Sequence, residues 1–415
     1  MFMNICQTEY QKMFTHIYVY IYIYKYIYIY ISVAIWAQVA FQCSVAIDIE
    51  VELCTMRVQS KLRAPKVIQV GSDFSGMDSF TTALARILPR GKFNVAFQSD
   101  ILKHARQMMM NKVDPLLKPD ILYKNVWQRD ENNVPDVHLY MWTPPCQSFS
   151  TAGHRCGVRD GRGKLLAVGV KYVCKKKPRL AIMENVKGLT HKNHKKVIKG
   201  LKNAVCEDYH MYMKVLRAVD FQIPQERERL FIVLIRKDCI RHKFKWPTAV
   251  MPRVTLCDVL DPVTAHDSPG RLPRTTRANE VVKDVLRKAH KDGVDGTTIP
   301  IAIDIDASNK FRTHGVDIVK TITRTRGGQG GPWISNRGRR TTVNELLKCQ
   351  GFKPDEVEWE QAGMTKRQIG QLIGNSIPVG MVGHLLANAM HSAGLLAKPV
   401  TFPQSEYAQT EQSGH

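Results

Sequence analysis

The chain has 415 residues, 60 of them Lys or Arg against 37 Asp or Glu, for a formal charge of +23, with 44% hydrophobic and 8% aromatic residues. That apolar content rules out disorder throughout and makes a large core available, in roughly two or three domains at this length. Ten scattered cysteines without a C-x-x-C pair speak against a disulfide scaffold or a structural zinc site and fit a reducing compartment, while the positive excess points to a polyanionic partner.

The segment His16–Ser32 alternates Ile or Val with Tyr around a central Lys25. The lysine and the tyrosines argue against a membrane-spanning helix, and the alternation outruns an ordinary strand. An in-frame ATA-TAT tract encodes such a repeat, so residues 1–60 are expected to be low-complexity, disordered or a gene-model extension.

From residue 61 onward strand-like and helical runs alternate. Val67–Phe74 predicts a strand and Ser79–Leu88 a helix capped by Asp78. Asn94–Ser99 predicts a second strand, Ile101–Met110 a helix and Val137–Trp142 a third strand. Lys164–Val173 predicts a helix, Leu180–Met183 a buried strand and His194–Val205 a helix. Met211–Val219 and Arg229–Ile235 predict two strands around a proline-containing turn. This alternation argues an α/β fold with a parallel sheet covered on both faces. Residues 237–335 break the rhythm, with sparse periodicity and a glycine loop at Gly327, Gly328, Gly330 and Gly331, and are expected to be a smaller inserted domain. Helices return at Val343–Cys349 and Val379–Met390. The expected organisation is thus 1–60, a catalytic domain 61–236, the insertion 237–335, a return to the catalytic domain over 336–397, and a disordered tail 398–415.

Four stretches carry the chemistry. Pro144-Pro145-Cys146-Gln147-Ser148 follows the third strand, and in open α/β sheets ligands bind beyond the carboxyl ends of the strands, where a cysteine held by two prolines is well placed as a nucleophile. Glu184-Asn185-Val186 closes the next strand and falls on the same edge. Gln225, Arg227 and Arg229 open the strand after it, and Gly374-Asn375-Ser376-Ile377-Pro378 precedes the last helix.

Together with Arg339, Glu345 and Gln350-Gly351-Phe352, and with Gln371, this ordered set resembles the DNA cytosine-C5 methyltransferase family from about Lys66 to Met390. The resemblance implies a Rossmann-like, doubly wound, mostly parallel sheet of methyltransferase type, with 237–335 as a smaller irregular target-recognition domain. It implies S-adenosylmethionine as cofactor and double-stranded DNA as substrate, with no metal and no membrane, in a monomer. A transfer-RNA cytosine methyltransferase on the same core and a catalytically inactive DNA-binding homologue stay open as alternatives.

Cytosine C5 is too weak a nucleophile to take a methyl group directly, and attack of a thiolate on C6 activates it. The resemblance makes Cys146 that nucleophile, Glu184 the acid at N3, Arg229 a contact to the cytosine O2 and Arg227 a brace for the catalytic loop. It places Gln147, Ser148, Arg162, Asn185 and Gln225 at the substrate. The loop Phe74-Ser75-Gly76-Met77-Asp78, Asp100 after the second strand, Asn125, Pro145, Asn375 and Ser376 would hold the cofactor. Asp78 stands where the family has glycine, and its charge is expected to oppose the cofactor carboxylate near a helix N-terminus. The base must leave the duplex to react, with Ser148–Lys164 as a mobile closing loop, and Lys175–Lys177 and Lys192–Lys202 can neutralise phosphates. The AT repeat hints at a eukaryotic genome, and hence at the nucleus, with the cytoplasm expected instead for a prokaryotic source.

Overall fold

The computed structural model describes residues 63–145, 165–308 and 312–408. Residues 1–60, the stretch containing Cys146, Gln147, Ser148 and Arg162, and the last seven residues lie outside them.

The chain enters at β1 (Ile68–Asp73) and continues through α1 (Ser79–Ile87), β2 (Phe93–Ser99), α2 (Lys103–Met110), β3 (Ile121–Tyr123), β4 (Leu139–Trp142), α3 (Leu165–Lys176), β5 (Leu180–Val186), α4 (Lys195–Val205), β6 (Tyr209–Arg217), β7 (Gln225–Glu226) and β8 (Glu228–Arg236). One seven-stranded sheet results, in the order β3-β2-β1-β4-β5-β8-β6. It is parallel except at β8, which runs antiparallel to both β5 and β6. The mostly parallel sheet expected from the sequence is what forms, and β8 reverses because β6 and β8 are joined by a short connection, which returns the chain antiparallel.

Strand alternation explains the two cores. In β4, Leu139 and Met141 face one layer while Tyr140 and Trp142 face the other, and in β8 Phe231, Val233 and Ile235 oppose Leu230, Ile232 and Leu234. The first layer packs under α1 and the final helix, the second under α3 and α4. Predicted and observed elements differ mainly at their ends. The helix expected over Lys164–Val173 runs on through two lysines to Lys176, whose charges suit a helix C-terminus. The strand expected to stop at Met183 continues to Val186, so Glu184 and Asn185 are strand residues paired with Phe231 and Leu230. The three-residue β3 carries too short a pattern to be read from sequence.

Residues 237–335 are more regular than their composition suggests. After the short α5 (Leu256–Val259) comes α6 (Thr276–Lys291), a sixteen-residue helix whose buried Ala278, Val281, Val282, Val285 and Ala289 fall on one face. Small apolar residues among many charges hide that stripe. α6 packs on β9 (Ile301–Ile303) with a core of its own. β9 joins β10 (His314–Val316), β12 (Trp333–Ile334) and β13 (Arg339–Arg340) in the order β10-β9-β12-β13, so this small sheet extends past residue 335. At the other end, Phe244, Val254, Leu256 and Val259 belong to the main core. β11 (Val319–Lys320) pairs with β7 and ties the insertion to the main fold.

The first two glycines of the expected loop, Gly327 and Gly328, close α7 (Arg324–Gly328). A Cβ at Gly327 would lie 2.0 Å from the carbonyl oxygen of Gly370, and one at Gly374 would lie 2.2 Å from that of Thr323. Glycine is therefore required by contact between α7 and α9 (Lys366–Asn375), backbone against backbone, with α8 (Val343–Lys348) preceding α9. The last helix, α10 (Val379–Ser392), packs on α1. Residues 399–408, expected to be disordered, pack instead: Phe402 is buried beside Gly383, and the Ser405 amide donates to the Gln222 side chain at 2.8 Å. No described helix is long and apolar enough to cross a membrane.

Candidate active site

The sheet reverses its winding between β1 and β4: β2 and β3 lie to one side, β5 to the other. Such a switch point leaves a crevice at the carboxyl ends of the strands. Every described site residue predicted from sequence belongs to the chain leaving these strands or to segments packed against it.

On the β1 side the chain turns sharply. Phe74, Gly76 and Asp78 all have positive φ, at 59°, 56° and 64°. The turn is held by the Ser75 amide donating to Ser99 O at 2.9 Å, and by the Gly76 amide donating to Asp100 Oδ2 at the same distance. A Cβ on Gly76 would meet nothing nearer than Phe74 O at 3.9 Å, so open space lies over this backbone. Asp78 caps α1 as expected, its Oδ1 accepting from the Thr81 amide at 3.3 Å. Its charge is not left bare. Lys112 Nζ lies 3.3 Å from Asp78 Oδ2, an ion-pair contact outside hydrogen-bond geometry, with both side chains nearly inaccessible.

Asp100 begins the next loop, its carboxylate also accepting from the Leu102 amide at 2.8 Å. Burial pushes this carboxyl above its ordinary value, against those two amides and the charges of His104 and Arg106. Ile101 beside it is 73% exposed, an apolar surface that no motif marked. Asn125 follows the neighbouring β3 and binds the Trp127 amide through its side chain at 3.0 Å. The turn, Asp100, Ile101 and Asn125 thus give a strand-end carboxylate, apolar surface and open backbone, a donor set that fits a nucleoside with a charged tail.

A second group at this edge escaped the sequence. Asp73 ends β1 and is fully buried. Arg129 grips it with Nη1 at 2.5 Å and Nη2 at 2.6 Å, while Tyr140 Oη and Ser99 Oγ donate to it at 2.6 and 2.7 Å. The Arg129 guanidinium also lies over the rings of Phe97, Tyr123 and Tyr172. This cluster ties the loop after β3 to the turn after β1.

At the centre of the crevice, Thr143 follows β4 and donates through Oγ1 to Phe74 O at 2.7 Å. Asn185 Nδ2 donates to Pro144 O at 3.2 Å. The chain leading into the proline pair is therefore held at Thr143 and at Pro144. One strand over, Glu184 receives Arg229 Nε on Oε1 at 2.9 Å. Its other oxygen has no partner among the described residues. Burial raises the Glu184 carboxyl above its ordinary value, opposed by Arg229 and Arg227.

Three residues expected at the substrate or in catalysis have their side chains engaged inside the fold. Asn185, 1% exposed, holds Pro144. Gln225 is fully buried, donating to Cys349 O and accepting from the Ile322 amide. Arg227, 2% exposed, donates to Ile322 O, Gly374 O and Ser376 O at 2.8, 3.2 and 2.7 Å. Long polar side chains satisfying buried carbonyls is what a tightly packed irregular junction demands. The brace expected of Arg227 falls, among described residues, on the turn before α10. There Asn375 is exposed, whereas the Ser376 hydroxyl donates to Ile373 O at 2.7 Å. Arg339 and Glu345 form a bidentate pair, both contacts at 2.9 Å, that supports α8 rather than the crevice. No group of three metal-ligating side chains occurs among the described residues.

With that geometry in place, three comparisons bear on it. Residues 68–391 match the family model described as C-5 cytosine-specific DNA methylase. A type II methyltransferase of Methanothermobacter thermautotrophicus, M.MthTI, is 39% identical over 275 residues, covering 61% of this chain and 78% of that protein. M.HhaI of Haemophilus parahaemolyticus is 26% identical over 271 residues, covering 64% and 79%. Among solved structures, the Entamoeba histolytica methyltransferase EhMeth superposes with a TM-score of 0.56 at 17% identity, covering 79% of this chain and 99% of that one. That likeness supports the doubly wound fold.

Proposed function

Because the chain belongs to the C-5 cytosine-specific DNA methylases, enzymes of S-adenosylmethionine-dependent cytosine methylation in DNA, we propose that it acts on an extruded cytosine through a covalent adduct with Cys146. The observation that carries this reading is the buried Glu184, one oxygen of which has no partner among the described residues, one strand from the anchored Thr143-Pro144 segment that leads toward Cys146.

The Cys146 thiolate adds to C6 of the base, and the electron pair displaced from the C5–C6 bond is drawn toward N3. Glu184, kept protonated to higher pH by burial, donates its proton to N3 as that charge forms. C5 thereby becomes an enamine carbon able to attack an electrophile. The turn after β1, Asp100 and the apolar face of Ile101 would hold S-adenosylmethionine, whose sulfonium would give its methyl group to C5 as the S–CH3 bond breaks and the thioether leaves. Loss of the C5 proton to a base, with return of the N3 proton to Glu184, then re-forms the double bond and expels the Cys146 thiolate. Arg229 orients Glu184 and lies at hand for the base oxygen, while Arg227, Asn185 and Gln225 are positioning residues. The base must be flipped from the stack, at a cost of about a few kcal/mol, and the unit around α6 and the small sheet is the proposed reader of the target sequence.

The test is covalent trapping. The full chain is incubated with S-adenosylmethionine and duplex DNA carrying 5-fluorocytosine, which cannot lose a C5 proton, and run on a denaturing gel. A shifted band that disappears in Cys146→Ser is expected. A chain that binds the duplex but gives no band would overturn the covalent mechanism, and a band formed only with RNA would move the activity to that substrate.

A further inference from the structure

Beside the crevice lies a cleft of about 590 Å³ between α7 and α9, lined by Arg324, Thr325, Gly328, Gln329, Arg367 and Gln371. The contacts at Gly327, Gly370 and Gly374 let the two helices touch along their backbones, which brings arginines 43 residues apart in the chain to one opening. Both are exposed, and neither has a carboxylate partner among the described residues.

The neighbouring arginines behave differently. Arg326 binds Asp304 at 2.7 Å, Arg339 binds Asp267 and Glu345, and Arg340 binds Asp306. Arg326, Arg339 and Arg340 are thus neutralised by carboxylates, and the two arginines lining the cleft have no such partner among the described residues. Two like charges in one opening repel unless an anion joins them. Arg324 also lies close enough to His104 to oppose its protonation. Arg227 binds carbonyls on both walls, Ile322 O just before α7 and Gly374 O at the end of α9, and its neighbour Arg229 holds Glu184. The cleft is therefore joined through two residues to the proposed catalytic acid.

We propose that Arg324 and Arg367 form a subsite for a backbone phosphate of the DNA strand that carries the target cytosine. The guanidinium fork matches phosphate oxygens, and the two glutamines offer further donors. Held here, the strand is anchored beside the point where its base enters the crevice. This inference rests on the DNA reading above and deepens it.

The experiment measures duplex affinity against salt concentration for the full chain, for Arg324→Gln, for Arg367→Gln and for the double variant. The control is Lys92→Gln with Lys118→Gln, which removes the same charge just before β2 and β3, at the opposite edge of the sheet. Each cleft variant should weaken binding roughly three- to tenfold irrespective of sequence, and the double variant should flatten the slope of log K against log salt by about 0.9, the value for one phosphate contact. S-adenosylmethionine affinity should not change. If the unaltered chain binds DNA with a steep slope but the double variant behaves like the control, the subsite is refuted while the methylation reading stands. If cofactor affinity falls instead, the anion is the cofactor carboxylate and the proposal is overturned. A full chain that does not bind DNA removes both.

Discussion

Two buried acid–arginine pairs sit at the same edge of the sheet. Asp73 is saturated: two contacts from Arg129, one from Tyr140 and one from Ser99. Glu184 is half-saturated, meeting Arg229 through one oxygen and leaving the other without a described partner. The four contacts on Asp73 tie the loop after β3 to the end of β1, whereas burial raises the Glu184 carboxyl and favours its proton-bearing form. Both acids are buried, and their partners separate the scaffold from the chemistry here.

The largest effects should come from breaking Glu184. Glu184→Gln keeps the shape and removes the proton, so single-turnover methyl transfer should fall about 10²- to 10⁴-fold while the thermal midpoint moves little. A large loss of stability in that variant would place Glu184 with Asp73. Arg129→Met should do the reverse. It leaves Asp73 buried without its cation and should cost about 3–5 kcal/mol in denaturant unfolding. Adding Asp73→Leu to Arg129→Met should recover most of that loss, because a well-packed apolar pair can replace a buried ion pair. Failure to recover would mean that the cluster specifies the loop after β3 as well as neutralising charge.

The pH dependence sharpens the contrast. The folded-state pKa of Glu184 is raised, chiefly by burial, so the folded chain keeps this proton where the unfolded chain has lost it. Its contribution to stability is fully present below the ordinary glutamate pKa and is lost as pH rises through the raised value. The acid form also donates in catalysis, so the single-turnover rate should show a descending limb at that raised value. Glu184→Gln should abolish the limb and flatten the thermal midpoint over the same window. A limb that survives in Glu184→Gln belongs to another group.

How much of this was legible in the sequence differs between the two pairs for a physical reason. Glu184 closes an apolar run, so its place at a strand end could be read directly, and Pro145 with Cys146 followed another such run. Asp73 and Arg129 are 56 positions apart and meet only because β1 and the chain after β3 leave the sheet on the same edge, which no local pattern encodes. Glycine misled the reading at Gly327 and Gly328, since glycine marks a turn when only local conformation is weighed and a close contact when another backbone lies within reach. α6 was hidden because its buried stripe is alanine and valine among charges. The sequence did not show that Asn185, Gln225 and Arg227 engage main-chain carbonyls with their side chains. A motif shows that a residue type is needed, and only the fold shows whether its partner is a ligand or a carbonyl.

The smallest expected effect concerns a third acid at this edge, and it lies between the other two. Asp78 has one oxygen engaged by the Thr81 amide and the other facing Lys112. Its left-handed backbone, φ 64°, is a conformation that glycine adopts without cost and aspartate tolerates. The Lys112 charge faces the carboxylate expected to oppose the cofactor's own carboxylate. Lys112→Met should therefore weaken S-adenosylmethionine binding by about 1–2 kcal/mol, the order of one unneutralised charge near a protein surface, read by calorimetric titration without DNA. Asp78→Gly added to Lys112→Met should restore affinity, since it removes the orphaned charge and relaxes the backbone together. If Lys112→Met leaves cofactor affinity unchanged, the pair serves the cap of α1 alone, and Asp78 belongs with Asp73 as scaffold.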